Sequence, residues 1–238
     1  MKKSLILIGL ATLAVTPAFA LEQTVDLKFQ GLGAGRNGSI KFDSAVKNLA
    51  LSQQRFSFSN ATPGSAIKIW DKTVQNVYCV DLSQWTDTKN TQQYTIISID
   101  GLDALKGASN KTEKVAGMYR LIRSTGGSAF KTADNDYAAA YQMLTWDILY
   151  DFDGTSKSLD LNAGRFQKAT ISSGVANKYN ELRSAMLAQT NGSAVAGVYA
   201  LKNACNQDYI AAVPEPGSVA ALGLGAAAMI FRKRRAKK

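Results

Sequence analysis

The reactive side chains of this chain are few, and their types narrow the chemistry that it can perform. The sequence contains no histidine and only two cysteines, Cys79 and Cys205. Without histidine, a Ser-His-Asp triad, a Cys-His pair and His-ligated zinc or haem sites are excluded. Two cysteines are too few for a zinc cage or a disulfide-rich scaffold. We therefore expect no metal, no cofactor and no ordinary hydrolase activity.

A polar residue on an apolar stripe is the second unusual feature. Residues 138–150 have the pattern of a helix, and the helical period places five side chains on one face: Ala138, Gln142, Thr145, Trp146 and Leu149. A buried carboxamide without hydrogen-bond partners costs about 1–3 kcal/mol. Gln142 is therefore expected either to have a partner in the core or to be chemically converted.

Cys79 and Gln142 lie in segments that share an aromatic context. Cys79 follows Tyr78 on a predicted strand, whereas Gln142 follows Tyr141 and precedes Trp146 by one helical turn. This order resembles the bacterial thioester domain of surface adhesins, over roughly residues 70–160. The resemblance implies that the Cys79 thiol and the Gln142 carboxamide condense into an internal thioester with loss of ammonia.

The same resemblance implies a function in covalent attachment. A thioester is an activated acyl group, which an amine or a hydroxyl of an extracellular polymer or surface protein can attack. Tyr78, Tyr141 and Trp146 are expected to shield the bond by excluding water. The bond is consumed once, so we expect a single-use acyl donor rather than an enzyme. The base would be a carboxylate, a tyrosine or the incoming amine.

Two alternatives remain open for the cysteines. In an exported chain Cys79 can pair with Cys205, which lies in a loop-like stretch at residues 203–207, or both thiols can stay free. Gln142 would then hydrogen-bond inside the core, and Trp146 would be ordinary packing. The corresponding function is a non-reactive structural protein of the extracellular matrix. A cysteine-nucleophile transferase is disfavoured because no histidine can activate the thiol.

The first twenty residues have the order of a secretory signal peptide. Lys2 and Lys3 precede the apolar run Leu5 to Val15, and Ala18-Phe19-Ala20 forms the small-residue cleavage site. We therefore expect residues 1–20 to be removed and the globular domain to occupy residues 21–212.

Residues 213–238 have three parts in a fixed order. The motif Pro214-Glu215-Pro216 is followed by an apolar segment at residues 218–231 and a basic cluster from Arg232. This order resembles the PEP-CTERM sorting signal of Gram-negative bacteria that make extracellular polysaccharide. The resemblance implies processing by an exosortase, transient membrane anchoring by residues 218–231, and a final location at the cell surface or in the extracellular matrix.

The net charge of +10 does not indicate nucleic-acid binding. The two end segments contain eight of the 28 basic residues, which leaves 20 basic and 17 acidic residues in residues 21–213. A balance of +3 is that of an ordinary surface, so we expect no nucleic-acid partner.

Between the ends, the patterns predict one α+β domain with a β-sandwich or barrel-like part and a helical subdomain. The segments predicted as strands are 24–29, 39–42, 55–59, 66–70, 74–82, 94–99, 195–201 and 208–213. Helices are predicted on either side of Gly126-Gly127 and over Val175–Leu187, with Asp134 or Asn135 as the second N-cap.

Three turns complete these predictions. Gly31–Gly35 reads as a flexible loop, and Asn37-Gly38 as a hairpin turn. Asp151-x-Asp153-Gly154 is interpreted as a helix-ending turn, because it lacks the further oxygen ligands of a calcium loop.

Overall fold

A computed structural model describes residues 22–212 of the protein. The predicted signal peptide (residues 1–20) and sorting signal (residues 213–238) lie outside these described residues. Within residues 22–212, no helix is both long and apolar enough to cross a membrane.

The described chain contains seven strands and three α-helices. The strands are β1 (Thr24–Phe42), β2 (Ala45–Ser59), β3 (Val74–Cys79), β4 (Thr91–Ile97), β5 (Phe166–Thr170), β6 (Val198–Lys202) and β7 (Tyr209–Ala212). The helices are α1 (Lys111–Thr125), α2 (Asn135–Asp151) and α3 (Ser173–Leu187). The predicted α+β class is confirmed. The edge strand β5 was not predicted, because its residues lack a clear alternation of apolar and polar side chains.

The strands form one antiparallel sheet in the order β2-β3-β7-β6-β4-β1-β5, with an additional pairing between β2 and β1. The long strand β1 pairs with β4 near its start, with β2 along most of its length, and with β5 near its end. The hydrogen-bonded pairings therefore form a closed cycle of six strands, in the order β1-β2-β3-β7-β6-β4 and back to β1. The sandwich or barrel-like arrangement stays a prediction.

The hairpin between β1 and β2 turns later than the sequence predicted. Phe42 pairs with Ala45, so the two-residue turn is Asp43-Ser44, and both of its residues have positive φ (46° and 72°). This is the backbone of a two-residue hairpin turn, which Asp tolerates better than most residues. The predicted turn at Asn37-Gly38 is wrong, because both residues lie inside the ladder.

The predicted loop at Gly31–Gly35 is also wrong, because these residues belong to β1. The register shifts between Phe29 and Gly31 and again between Leu32 and Gly35, as in β-bulges. A Cβ on Gly35 would lie 2.2 Å from the Cβ of Ser52. The glycines therefore permit bulges and a close approach of two strands, rather than a loop.

Residues 66–70 form a 3₁₀ helix instead of the predicted strand. Its buried residues are Ile67 and Trp70, three positions apart, and the 3₁₀ period places them on the same side. The apparent alternation of Ile67, Ile69 and polar neighbours was misleading, since Ile69 is exposed.

The helices pack on one another, and α2 also packs against β1 and β2. Every residue of α2 from Ala138 to Leu149 is buried, so this helix lies in the interior on all sides. Asp134 caps α2 as predicted, its carboxylate accepting from two backbone N–H groups, and α1 ends at Gly126, which has φ of 55°.

Candidate functional site

The position of Cys79 is set by the end of the β2–β3 ladder. β2 pairs with β3 only as far as Gln54 and Val77, whereas β3 continues and pairs with β7 through Tyr78 and Cys79. The N–H of Val80 donates to Asp208 O in that neighbouring segment. Hydrogen-bonding directions alternate along a strand, so the N–H and C=O of Cys79 point away from β7, toward the side of β2. Because β2 no longer pairs with β3 at this position, these two groups face an open strand edge.

The side chain of Gln142 fills that open strand edge. Cys79 N–H donates to Oε1 of Gln142 at 3.0 Å, and Nε2 of Gln142 donates to Cys79 O at 2.8 Å. The carboxamide therefore binds the backbone of Cys79 as the peptide group of a neighbouring strand would. Gln142 is completely buried, and the structure brings it into hydrogen-bonded contact with Cys79, the residue to which the thioester-domain resemblance would join it. The covalent bond itself stays a prediction.

The thiol of Cys79 lies in a strongly desolvated environment. Burial raises the pKa of this thiol far above its ordinary value, and the nearby charge of Asp81 raises it further. The thiol is therefore protonated at neutral pH, and any reaction as a nucleophile requires a group that accepts its proton.

The three predicted shielding residues are all buried, but they do not occupy one place. Tyr78 and Tyr141 have ring centroids 4.6 Å apart and pack with Phe130. Because side chains alternate along a strand, Tyr78 lies on the face of β3 opposite to Cys79. Trp146, in contrast, lines the same cavity as Cys79.

A cavity of about 300 Å³ reaches Cys79 from the surface. Its buried lining residues include Cys79, Asp81 and Trp146. Trp85 also lines the cavity and is 74% exposed, which places it at the outer side. The cavity therefore leads from the surface to the neighbourhood of Cys79, whose side chain is itself buried.

Two lining residues were missed by sequence reasoning. Asp81 follows Cys79 by two positions, so the alternation of a strand was a signal that both side chains share a face. Trp85 stands within the polar stretch Ser83–Thr88, where an isolated large aromatic is unusual. Neither signal showed that the two residues meet in one cavity, because the chain is irregular after residue 79.

A second buried polar group was missed on the same helix. Asp147 is completely buried, and burial raises the pKa of its carboxyl group to about 8. The Tyr179 hydroxyl of α3 donates a hydrogen bond to Oδ2 of Asp147. Its position directly after Trp146, in an interior helix, was the available signal.

Cys205 lies away from this buried environment. It is exposed, and its backbone N–H donates to Oδ1 of Asn203 at 2.8 Å in the loop between β6 and β7. Both cysteines are free thiols in the structure. The pairing of Cys79 with Cys205 stays a prediction.

The carboxylate of Asp151, at the end of α2, stabilises the local backbone rather than binding a metal ion. Asp151 accepts hydrogen bonds from the backbone N–H groups of Arg165 and Phe166 at 3.0 and 2.8 Å. Over residues 22–212, no group of three or more His, Cys, Asp or Glu side chains is placed to hold a metal ion.

Comparison with known proteins identifies one segment of the chain. Residues 212–235 match the family model described as the PEP-CTERM protein-sorting motif. Neither the search of curated proteins nor the search of solved structures gave a match. The matched motif indicates an exported, exosortase-sorted surface protein that is anchored at the membrane before its C-terminal processing.

Proposed function

We propose that this exported protein attaches covalently to an extracellular polymer or surface protein through a thioester between Cys79 and Gln142. The observation that carries the proposal is the paired hydrogen bonding of the Gln142 carboxamide to the Cys79 backbone at 3.0 and 2.8 Å. This arrangement fixes the carbonyl carbon of Gln142 beside the residue that carries the thiol. Such positioning replaces the entropy cost of bringing two reactants together.

The chemistry of bond formation balances without a further reagent. The sulfur of Cys79 attacks Cδ of Gln142, a C–S bond forms and the C–N bond breaks. Nε2 leaves as ammonia after receiving the proton of the thiol. The Cys79 N–H already donates to Oε1, the atom that becomes negatively charged in the tetrahedral intermediate, so it acts as an oxyanion donor.

The surroundings suit a long-lived but accessible acyl group. Gln142 is completely buried, which slows hydrolysis, whereas the cavity leads to Cys79 from the surface. An acceptor amine or hydroxyl would form an amide or ester with Gln142 and restore the Cys79 thiol. Each molecule would react once, so the protein would not be an enzyme.

Export would bring the thioester into contact with extracellular acceptors. The sorting motif at residues 212–235 indicates a surface protein, and the acyl acceptors would be extracellular. Cleavage by the exosortase would leave the domain on the cell surface or in the matrix of a Gram-negative bacterium, where a covalent bond resists detachment.

A second candidate is a non-reactive structural protein at the cell surface. The observation that favours it is the same pair of hydrogen bonds, because both polar atoms of the Gln142 carboxamide are satisfied. Gln142 would then complete the open edge of β3, and the cysteines would be free or paired with each other.

Peptide mass spectrometry of the exported protein tests the proposal. We expect a cross-linked pair of peptides containing Cys79 and Gln142, lighter by one ammonia than their sum, and addition of methylamine at Gln142. Gln142→Glu is the matched control, because a carboxylic acid keeps the shape but cannot release ammonia. A pair of unmodified peptides in the wild type, or a loss of two hydrogens, would reject the thioester.

A further inference from the structure

The cavity beside Cys79 has one large aromatic face at its outer side. Trp85 is 74% exposed, although leaving the large apolar surface of a tryptophan ring in water is unfavourable. An exposed tryptophan at the mouth of a cavity offers a flat surface on which a ligand can stack. The ring is therefore placed to meet whatever approaches Cys79.

The inner side of the cavity is formed in part by the indole ring of Trp146, which is 2% exposed. Its Nε1 is inaccessible to solvent and has no hydrogen-bond partner among residues 22–212, so it offers no contact to a ligand. Trp146 therefore contributes packing surface to the cavity, and the polar contacts must come from other lining residues.

Asp81 adds a fixed acceptor to the same cavity. Its Oδ1 accepts from the N–H and the hydroxyl of Ser83, both at 2.6 Å, so the carboxylate cannot turn freely. The carboxamide of Gln54, which both donates and accepts, lines the cavity too. The polar groups are thus distributed around the space rather than concentrated at one point.

The charges in the cavity favour a neutral ligand. Lys47 and Asp81 both line it and carry opposite charges, and Nζ of Lys47 donates to Leu82 O at 2.8 Å. A cationic amine would gain from Asp81 but would be repelled by Lys47. A neutral ligand with several hydroxyl groups can donate to Asp81 and bind the carboxamide of Gln54 without this conflict.

We propose that the cavity binds one sugar residue of an extracellular polysaccharide and that a hydroxyl of this sugar is the acceptor of the Gln142 acyl group. A volume of about 300 Å³ accommodates a ligand of this size, at the lower end of small-molecule sites. The sugar ring stacks on Trp85, while its hydroxyls reach Asp81 and Gln54. The acyl-transfer part rests on the proposed thioester; the sugar binding does not.

Asp81 has a defined role in this transfer. Gln142 itself does not line the cavity, but in the thioester its Cδ is bonded to the sulfur of Cys79, a residue that does. The hydroxyl oxygen attacks this carbon while the Asp81 carboxylate takes the hydroxyl proton. A C–O ester bond forms, the C–S bond breaks, and the Cys79 thiolate recovers the proton from Asp81. The reaction consumes one thioester and one hydroxyl and leaves a thiol and an ester.

Reversible binding to immobilised glycans tests the sugar site separately from the chemistry. Labelled Cys79→Ala protein, which cannot form the thioester, is expected to bind a subset of polysaccharides and oligosaccharides on a glycan array. Trp85→Ala in the same background should weaken that binding by about tenfold or more. Ile69→Ala, which removes an exposed apolar side chain outside the cavity, is the matched control and should bind normally.

Covalent transfer is then measured with the wild-type protein and the bound glycans. Denaturant-resistant attachment that hydroxylamine releases is expected for an ester, and Asp81→Asn should slow it while Asp81→Glu partly restores it. Absence of glycan binding, or equal binding by Trp85→Ala, would overturn the sugar site. If glycan binding is intact but the mass spectrum shows no thioester, the acyl transfer and the proposed function are both overturned. The sugar site would still stand. A thioester that transfers to cadaverine but to no bound glycan would overturn the hydroxyl acceptor alone.

Discussion

The hydroxyl of Tyr179 in α3 donates to one carboxylate oxygen of Asp147 in α2, while the other oxygen, Oδ1, is buried without a partner among residues 22–212. Burial raises the pKa of Asp147 to about 8, mainly through desolvation. The folded protein therefore retains a proton that the unfolded chain releases near pH 4. This difference makes the stability of the α2–α3 contact depend on pH.

The first prediction concerns that pH dependence. Between pH 4 and pH 8 the folded state binds the extra proton, so the free energy of unfolding should fall as the pH rises, by at most about 1.4 kcal/mol per unit. Asp147→Asn should flatten this slope and be more stable than the wild type at pH 8. Urea denaturation at several pH values measures it.

Asp208 provides the control for this experiment. Burial raises its pKa to about 6, so Asp208→Asn should change the slope only below that pH. An unchanged slope in Asp147→Asn between pH 6 and pH 8 would contradict the assignment.

The second prediction concerns the strand edge completed by Gln142. In a Cys79→Ala background, where no thioester forms, Gln142→Met should lower the free energy of unfolding by about 2–4 kcal/mol. The reason is that the N–H and C=O of residue 79 both lose their partners inside the protein. Chemical denaturation measures the loss, and Met143→Leu at the next buried position is a matched control, since a swap of similar volume costs less than about 1.5 kcal/mol.

The third prediction concerns thiol counting. Cys205 is exposed and should react with a thiol reagent within minutes, whereas Cys79 should not react in the folded protein because it is buried and its pKa is raised. Under the thioester proposal, one thiol is accessible in the folded state. A disulfide would leave no accessible thiol, and Cys205→Ser should remove the fast reaction.

The fourth prediction concerns the close approach of β1 and β2. Gly35→Ala should lower the free energy of unfolding by about 1–3 kcal/mol, because the new Cβ would lie 2.2 Å from that of Ser52. Gly107→Ala is the control: it has φ of 74° but no atom within 4 Å, so only backbone strain of about 1 kcal/mol is expected. Equal losses in both variants would argue against the close contact.

The contact between Cys79 and Gln142 was expected from the resemblance to the bacterial thioester domain, which rests on two residues that each stand out locally. A glutamine in an apolar helical stripe and a cysteine on an apolar strand each require an explanation. The caps of the helices were accessible for a similar reason, since Asp134 and Gly126 act through neighbouring backbone groups.

The features that depend on contacts between distant segments could not be predicted from the sequence. Gly31–Gly35 looked like a loop because glycine serves both loops and bulged strands, and only the contact with Ser52 separates the two. The cavity combines residues from β2, β3, α2 and the loop containing Trp85. No local pattern records that these segments meet.

The placement of β7 has a mechanical consequence. The sorting motif begins at Ala212, the last residue of β7, and β7 lies between β6 and β3, which carries Cys79. Tension transmitted from a surface anchor would enter the domain through β7 and reach the neighbourhood of Gln142 across a single border between two strands. The hydrogen bonds that join β7 to β3 would therefore carry the tension between the anchor and the proposed attachment site.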